Sequence, residues 1–451
     1  MGGLRDAIPG HGMIGDVARG RDRYVDLLRA LAILAVVTGH WLVAAVTVQD
    51  GRLGGINALQ VLPWARPLTW LLQVMPVFFL VGGYANAASW SSHRRRGGHG
   101  VSWVRSRMYR LLRPTAVFVA VLAATAGLGR AVGLDPETVR DAAWVAAISL
   151  WFLAVYLAVM ALAPIVITAQ RRWGPGVTIT LLGAWVAAAD LSRLVFEAPF
   201  FAWSTYLLGW LTVHQLGVAW RDGALTRSPA AAWLLAGGGL VCLLLGTGPG
   251  PYAVSMVGAV GPGLANTAPP TLALLALAAT QTGLILLLRG PADRWLTRPR
   301  AWMAVVAVNS VVLTVYLWHM VPILVVAPAL VLTGVWPQYP LGSAAWLLLR
   351  PPWLFALGIV LLGLVMVFGR WEQPRLRGAP DGRPAESGWA AVRLGVGVAA
   401  CLAALTTLAA TGFAGLGPTP VPIVELTVLA AGLLLVGGGI PIIGRLRAHR
   451  G

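Results

Sequence analysis

Twelve stretches of about twenty apolar residues recur along this 451-residue chain, and they constrain its fold more than any other feature. A bilayer core about 30 Å thick is crossed by about 20 helical residues at 1.5 Å each, so each stretch is long enough to span a membrane. They run approximately from 24 to 48, 67 to 90, 112 to 134, 142 to 168, 176 to 196, 199 to 219, 230 to 248, 270 to 288, 303 to 332, 350 to 369, 390 to 413 and 421 to 443. With 58% hydrophobic and 11% charged residues, against roughly 25% charged in a soluble domain, the composition excludes a water-soluble chain and a disordered one. The expected fold is an all-α, polytopic transmembrane helical bundle of about 12 spans.

All 34 basic residues are arginine, against 16 acidic ones, for a formal charge of +18. Such an excess raises the question of nucleic acid, but the arginines lie in short clusters between apolar stretches, where cytoplasmic loops face anionic headgroups. The bilayer is therefore the expected partner, and nucleic acid is not. If the first stretch enters from the cytoplasm, 27 arginines fall on the cytoplasmic side and 6 on the other, which puts both termini in the cytoplasm. Residues 1–23 carry Arg5, Arg19, Arg21 and Arg23 but no apolar core, unlike a signal peptide, and read as a cytoplasmic tail. Residues 370–389 are charged and rich in Pro and Gly, so they read as a cytoplasmic linker between a ten-helix body, 24–369, and two further helices with a basic tail, 390–451. Cys242 and Cys401 lie far apart within apolar stretches and offer no disulfide framework.

Charged side chains within a span cost roughly 2.5 to 3.5 kcal/mol on insertion scales, so each is a functional candidate. The first stretch holds Asp26, Arg29 and His40. Eleven residues at about 100° each make three turns plus about 20°, so Arg29 and His40 share a face about 16 Å apart along the axis. Asp26, three residues earlier, can pair with Arg29. The bland alternatives are a snorkelling arginine at the membrane boundary and an interhelical hydrogen-bonded imidazole. The ninth stretch holds Asn309, Tyr316 and His319 near one face, and His319 reaches about the depth of His40, so the two histidines can meet. An interfacial belt of Tyr316, Trp318 and His319 is the competing reading. His214 reads as structural, and Asp190, Arg193 and Glu197 as an exposed salt-bridge group. No histidine spacing suits a metal, and none is expected. The loop after the second stretch places Arg105, Arg107, Arg110 and Arg113 just before the third, where their forks can bind phosphate oxygens or simply mark the cytoplasmic side.

Taken in order, these residues resemble acyltransferase family 3, polytopic membrane enzymes that move acyl groups from acyl-coenzyme A to hydroxyls. The resemblance rests on Arg29 and His40 in an R-x10-H spacing, PVFFLVGGY at 76–84, WVRSRMYRLLRP at 103–114, SLWFLAVYL at 149–157 and YLWHM at 316–320, and covers about 24–369. Gly82 stands where the family has Ser, and Tyr156 and Leu157 where it has carboxylates, which marks a divergent branch. The resemblance implies that His40 is the catalytic base, with Tyr316 or His319 orienting it. It also implies that Arg29, with Arg105, Arg107, Arg110 and Arg113, holds acyl-coenzyme A, most simply acetyl-coenzyme A, with Asp26 and Asn309 in support. The implied acceptor is a cell-envelope glycan or glycolipid, the implied location a bacterial plasma membrane, and a homo-oligomer is compatible with both. Gly- and Pro-interrupted helices with polar groups at mid-membrane also suit a secondary transporter or exporter of a glycan or lipid precursor, the competing function.

Overall fold

The computed structural model describes residues 22–49, 52–197, 199–372, 388–415 and 419–437. Most of the expected tail and linker, 1–21 and 373–387, lies outside them. In chain order the helices are α1 Arg23–Val43, α2 Met75–Arg95, α3 Gly100–Ala131, α4 Pro136–Ala147, α5 Leu150–Trp173, α6 Pro175–Val195, α7 Thr205–Arg221 and α8 Pro229–Thr247. Beyond a Gly- and Pro-rich loop follow α9 Leu272–Trp295, α10 Pro299–Asn309, α11 Val312–Trp318, α12 Val321–Ala327, α13 Arg350–Phe368, α14 Gly388–Thr411 and α15 Ile423–Gly437. Proline opens α4, α6, α8 and α10, where its missing N–H costs nothing.

Among the described residues nine helical segments are long and apolar enough to cross a membrane, or ten if the bent pair α10 and α11 is one span. The two remaining stretches form shorter helices, α7 with 17 residues and α15 with 15. Helices α6 and α8 turn apolar side chains outward, with Leu181 and Trp233 each 65% exposed. In water that surface would aggregate, whereas acyl chains are as apolar as leucine itself. The chain is a multi-pass membrane protein.

Four local features depart from the sequence reading. The first stretch stops being helical at Val43, and Ala44–Gln49 pairs antiparallel with Arg52–Asn57 as strands β1 and β2. The alternating Val46, Thr47 and Val48 favour a strand once the helix has ended, so a short hairpin follows α1 in an otherwise helical bundle. The expected arginine loop is helix: α3 begins at Gly100 and runs 32 residues, about 48 Å, well beyond a 30 Å core. The ninth stretch is broken, bending 54° between α10 and α11 and interrupted again at His319 and Met320, where Pro322 offers no N–H. Asp190 does pair with Arg193, at 3.9 Å, but not in an exposed group: it is buried, accepting hydrogen bonds from the Tyr252 hydroxyl at 2.9 Å and the Leu272 amide at 2.8 Å, and so anchors the start of α9.

Packing is closest where α2 crosses α7. A Cβ at Gly217 would collide with the carbonyl of Leu80, and one at Gly83 with that of His214, so only glycine allows this approach. Beside the crossing, His214 accepts from Asn86 Nδ2 at 3.2 Å and donates to Gln215 Oε1 at 3.0 Å, and Gln215 donates to Gln170 at 2.8 Å. This buried network joins α2, α5 and α7, which is the structural role expected of His214. The last two helices belong to the same packed body, with Phe413 fully buried 5.8 Å from Phe118 of α3.

Candidate active site

Arg29 and His40 need a rigid α1, and its sequence supplies one. Asp22 caps it, with Oδ1 accepting from the Tyr24 and Val25 amides and Oδ2 accepting from the Tyr84 hydroxyl at 2.8 Å and Arg289 Nη2 at 2.7 Å. Burial pushes the Asp22 carboxyl up, but the hydrogen bonds from Tyr84 and Arg289 and the charge of Arg289 outweigh it and hold the group below its ordinary 3.8. One carboxylate thereby ties the arginine-rich ends of α1, α2 and α9 together.

Three residues into α1, Asp26 is buried and its Oδ1 lies 3.2 Å from Arg29 Nη1. Asn309, at the end of α10, donates to the Asp26 carbonyl at 2.8 Å, so the bend after Asn309 locks this level of the site. Of the four arginines on α3, Arg107 is half-buried and lays its guanidinium over Trp103 at 5.3 Å. The four are not one cluster. At 100° per residue Arg105 stands about 160° round α3 from Arg107, whereas Arg110 and Arg113 follow Arg107 within successive steps of about 60°.

At the other end of α1, His40 is half-buried and His319 buried, with ring centroids 5.0 Å apart and His319 Nε2 3.3 Å from His40 Nδ1. Their hydrogen bonds assign the tautomers. His319 Nδ1 lies 2.5 Å from the Tyr316 carbonyl, which can only accept, so Nδ1 carries the proton and Nε2 is bare. His40 Nδ1 faces two acceptors, that bare nitrogen and the Val36 carbonyl at 3.0 Å, and must carry its own proton. His40 Nε2 is then the unprotonated, basic nitrogen.

The break in the helix holds this geometry. Because the Ile323 amide, which would serve the His319 carbonyl in a continuous α-helix, donates to Met320 instead, the His319 carbonyl is taken by the indole N–H of Trp41 at 2.6 Å. Trp41 is a residue the sequence reading passed over, although an indole N–H within a span must find an acceptor, which was signal enough. Tyr316 is placed differently from expectation: its hydroxyl donates to the Ser149 carbonyl at 2.7 Å, at the junction of α4 and α5, and only its carbonyl touches the histidine pair. Tyr316, Trp318 and His319 are all buried, so they form no interfacial belt.

Below the pair, Phe152 packs 5.4 Å from Phe79, 5.6 Å from Tyr156 and 5.2 Å from Tyr316, so PVFFLVGGY, SLWFLAVYL and YLWHM meet at one ring. A family model described as an acyltransferase domain, acyltransferase family 3, matches residues 22–370. The chain belongs to that family. No curated protein and no solved structure matches the chain. The matched region ends within two residues of Glu372, whose carboxylate accepts from the Leu313 and Thr314 amides and so caps α11 of this membrane acyltransferase.

Proposed function

We propose that this membrane acyltransferase transfers an acyl group, most simply acetyl, from acyl-coenzyme A to a hydroxyl of a glycan, glycolipid or other cell-envelope acceptor. The observation that carries the reading is the His319 to His40 contact, because it leaves a bare imidazole nitrogen half-buried in the first helix. His40 Nε2 removes the proton of the acceptor hydroxyl as the oxygen attacks the thioester carbonyl. The carbon–sulfur bond breaks, and the thiolate leaves with the proton that His40 returns. While His40 is charged, its Nδ1–H stays on the Val36 carbonyl and on His319 Nε2, which holds the ring in place.

The donor fits the arginine-rich end. Arg29, paired with Asp26 at 3.2 Å, and Arg107 on α3 supply guanidinium forks suited to phosphate oxygens. The axial rise of about 16 Å between Arg29 and His40 separates phosphate binding from chemistry, so the donor extends along α1. With the arginine-rich end cytoplasmic, in a bacterial plasma membrane, the thioester arrives from inside and the acceptor meets it toward the outer side.

The test is purified protein in liposomes with acetyl-coenzyme A and candidate hydroxyl acceptors. Free thiol should appear only with all components, and His40→Ala should abolish it while the protein remains folded. Thiol-independent counterflow of a solute would return the reading to transport.

A further inference from the structure

Residues 248–271 join α8 to α9 without a helix or strand of their own, and ordered connections beyond about 15 residues are usually functional. The segment before α2 holds this one in place. Trp70 Nε1 donates to the Val254 carbonyl at 2.8 Å, Gln73 Nε2 to the Met256 carbonyl at 2.7 Å, and the Met256 amide to Thr69 Oγ1 at 2.9 Å. Within the connection, buried Asn266 Nδ2 donates to the Ala253 and Ser255 carbonyls at 2.6 and 3.0 Å. The two segments enclose a cavity of about 430 Å³, within the range of ligand sites. It lies beyond the end of α1 and before the start of α9, at the opposite end of the bundle from Asp22.

The wall is largely apolar, with Pro63, Pro67, Val254 and Val260, and no acidic residue is among the described residues that line it. Two of its polar side chains are already committed: Thr247 donates to the Leu243 carbonyl at 2.8 Å and Tyr252 to Asp190 Oδ2 at 2.9 Å. Arg66 has donors to spare. Its Nε donates to the Leu59 carbonyl at 3.2 Å, which fixes the guanidinium, while neither Nη has a hydrogen bond or ion pair among the described residues. Both Nη atoms keep accessible surface on this half-buried, cavity-lining residue. Gly261, with φ +89°, also lines the cavity and makes room for the fork: a Cβ there would lie 2.8 Å from Arg66 Nη1 and 3.2 Å from Cζ. The amides of Gly261 and Gly263, both in the wall, have no acceptor among the described residues. Trp64 and Leu68, two residues to either side of Arg66, are 62% and 53% exposed, which sets the cavity at the membrane boundary, where headgroups lie. A guanidinium fork free of a carboxylate at that depth matches phosphate oxygens.

We propose that this cavity binds the phosphate of an anionic lipid headgroup through Arg66. The full-length protein in detergent is titrated, by native mass spectrometry, with three probes: dioctanoyl phosphatidylglycerol, dioctanoylglycerol without the phosphate headgroup, and glycerol 3-phosphate without the chains. The first phosphatidylglycerol bound should be held roughly tenfold tighter than either fragment. Arg66→Gln should abolish its advantage over dioctanoylglycerol. Pro262→Glu, at an exposed position in the wall, adds a competing carboxylate and should weaken phosphatidylglycerol alone, which tests the site independently of any effect of Arg66→Gln on folding. Arg140→Gln removes an arginine at the same end of the bundle, 3.9 Å from Asp141, and should change nothing. Equal affinities for phosphatidylglycerol and dioctanoylglycerol in the parent protein, an advantage that survives Arg66→Gln or Pro262→Glu, or an equal loss in Arg140→Gln would each overturn the site. Glycerol 3-phosphate binding as tightly as the lipid would overturn the lipid as its source.

Discussion

Tyr156 occupies the space that a side chain at Gly82 would need: a Cβ at Gly82 would lie 3.1 Å from Tyr156 Cε2 and 3.3 Å from its hydroxyl. Two of the three positions where this chain departs from the pattern it resembles, Gly82 and Tyr156, are thus neighbours, and the loss of a side chain on α2 matches the large ring on α5. Gly82→Ser should destabilise the protein by about 1 to 3 kcal/mol through overpacking. Tyr156→Ala in the same chain should recover part of that loss. Thermal unfolding of the two single variants and the double variant measures the coupling, and strict additivity would refute it.

If His40 is the base, as proposed, and His319 positions it, removing His319 should lower kcat more than it changes KM for either substrate. Losing one tautomer-fixing hydrogen bond of about 1 to 1.5 kcal/mol corresponds to roughly tenfold in kcat for His319→Ala. His319→Gln, whose amide oxygen can still accept from His40 Nδ1, should restore part of it. His40→Ala should cost on the order of 100-fold to 10,000-fold. Steady-state kinetics of the three variants would decide between these roles, and equal losses in all three would argue against a positioning role for His319.

Arg107 and Arg105 lie two residues apart but on opposite sides of α3, which separates a donor-binding role from a plain topological one. Arg107→Gln should raise KM for acyl-coenzyme A severalfold, whereas Arg105→Gln should leave it nearly unchanged. Matching effects would mean that the side of the helix does not matter.

Asp22 predicts an acid limit. Because its folded carboxyl titrates below 3.8, its contribution to stability is fully present above that value and is lost as pH falls through the lower folded one. The gap in unfolding temperature between the parent protein and Asp22→Asn should therefore be constant from neutral pH down to about 5 and close below about 3.8. A gap that persisted in strong acid would mean that the carboxylate charge does not hold α1.

The bundle and the face shared by Arg29 and His40 were legible for a simple reason: length, apolarity and helical period are properties of neighbouring residues. Eleven residues between Arg29 and His40 put both on one face whatever surrounds them, and Asp26 three residues before Arg29 pairs with it as the spacing requires. Less was visible where a residue's partner lies far along the chain. The strands after Val43, the burial of Asp190 under Tyr252 and the turning of the Tyr316 hydroxyl to Ser149 each depend on segments more than ten residues away or on where the helix leaves the membrane.

The order of apolar stretches alone determined a helical membrane protein, its arginine-rich end and two histidines at one depth, because hydrophobic period and chain length act locally. Only the tertiary structure decided which histidine nitrogen is bare, which carbonyl the Tyr316 hydroxyl takes and why Gly82 is tolerated. Those choices depend on a carbonyl or a ring supplied by another helix, and no local pattern encodes which helix that will be.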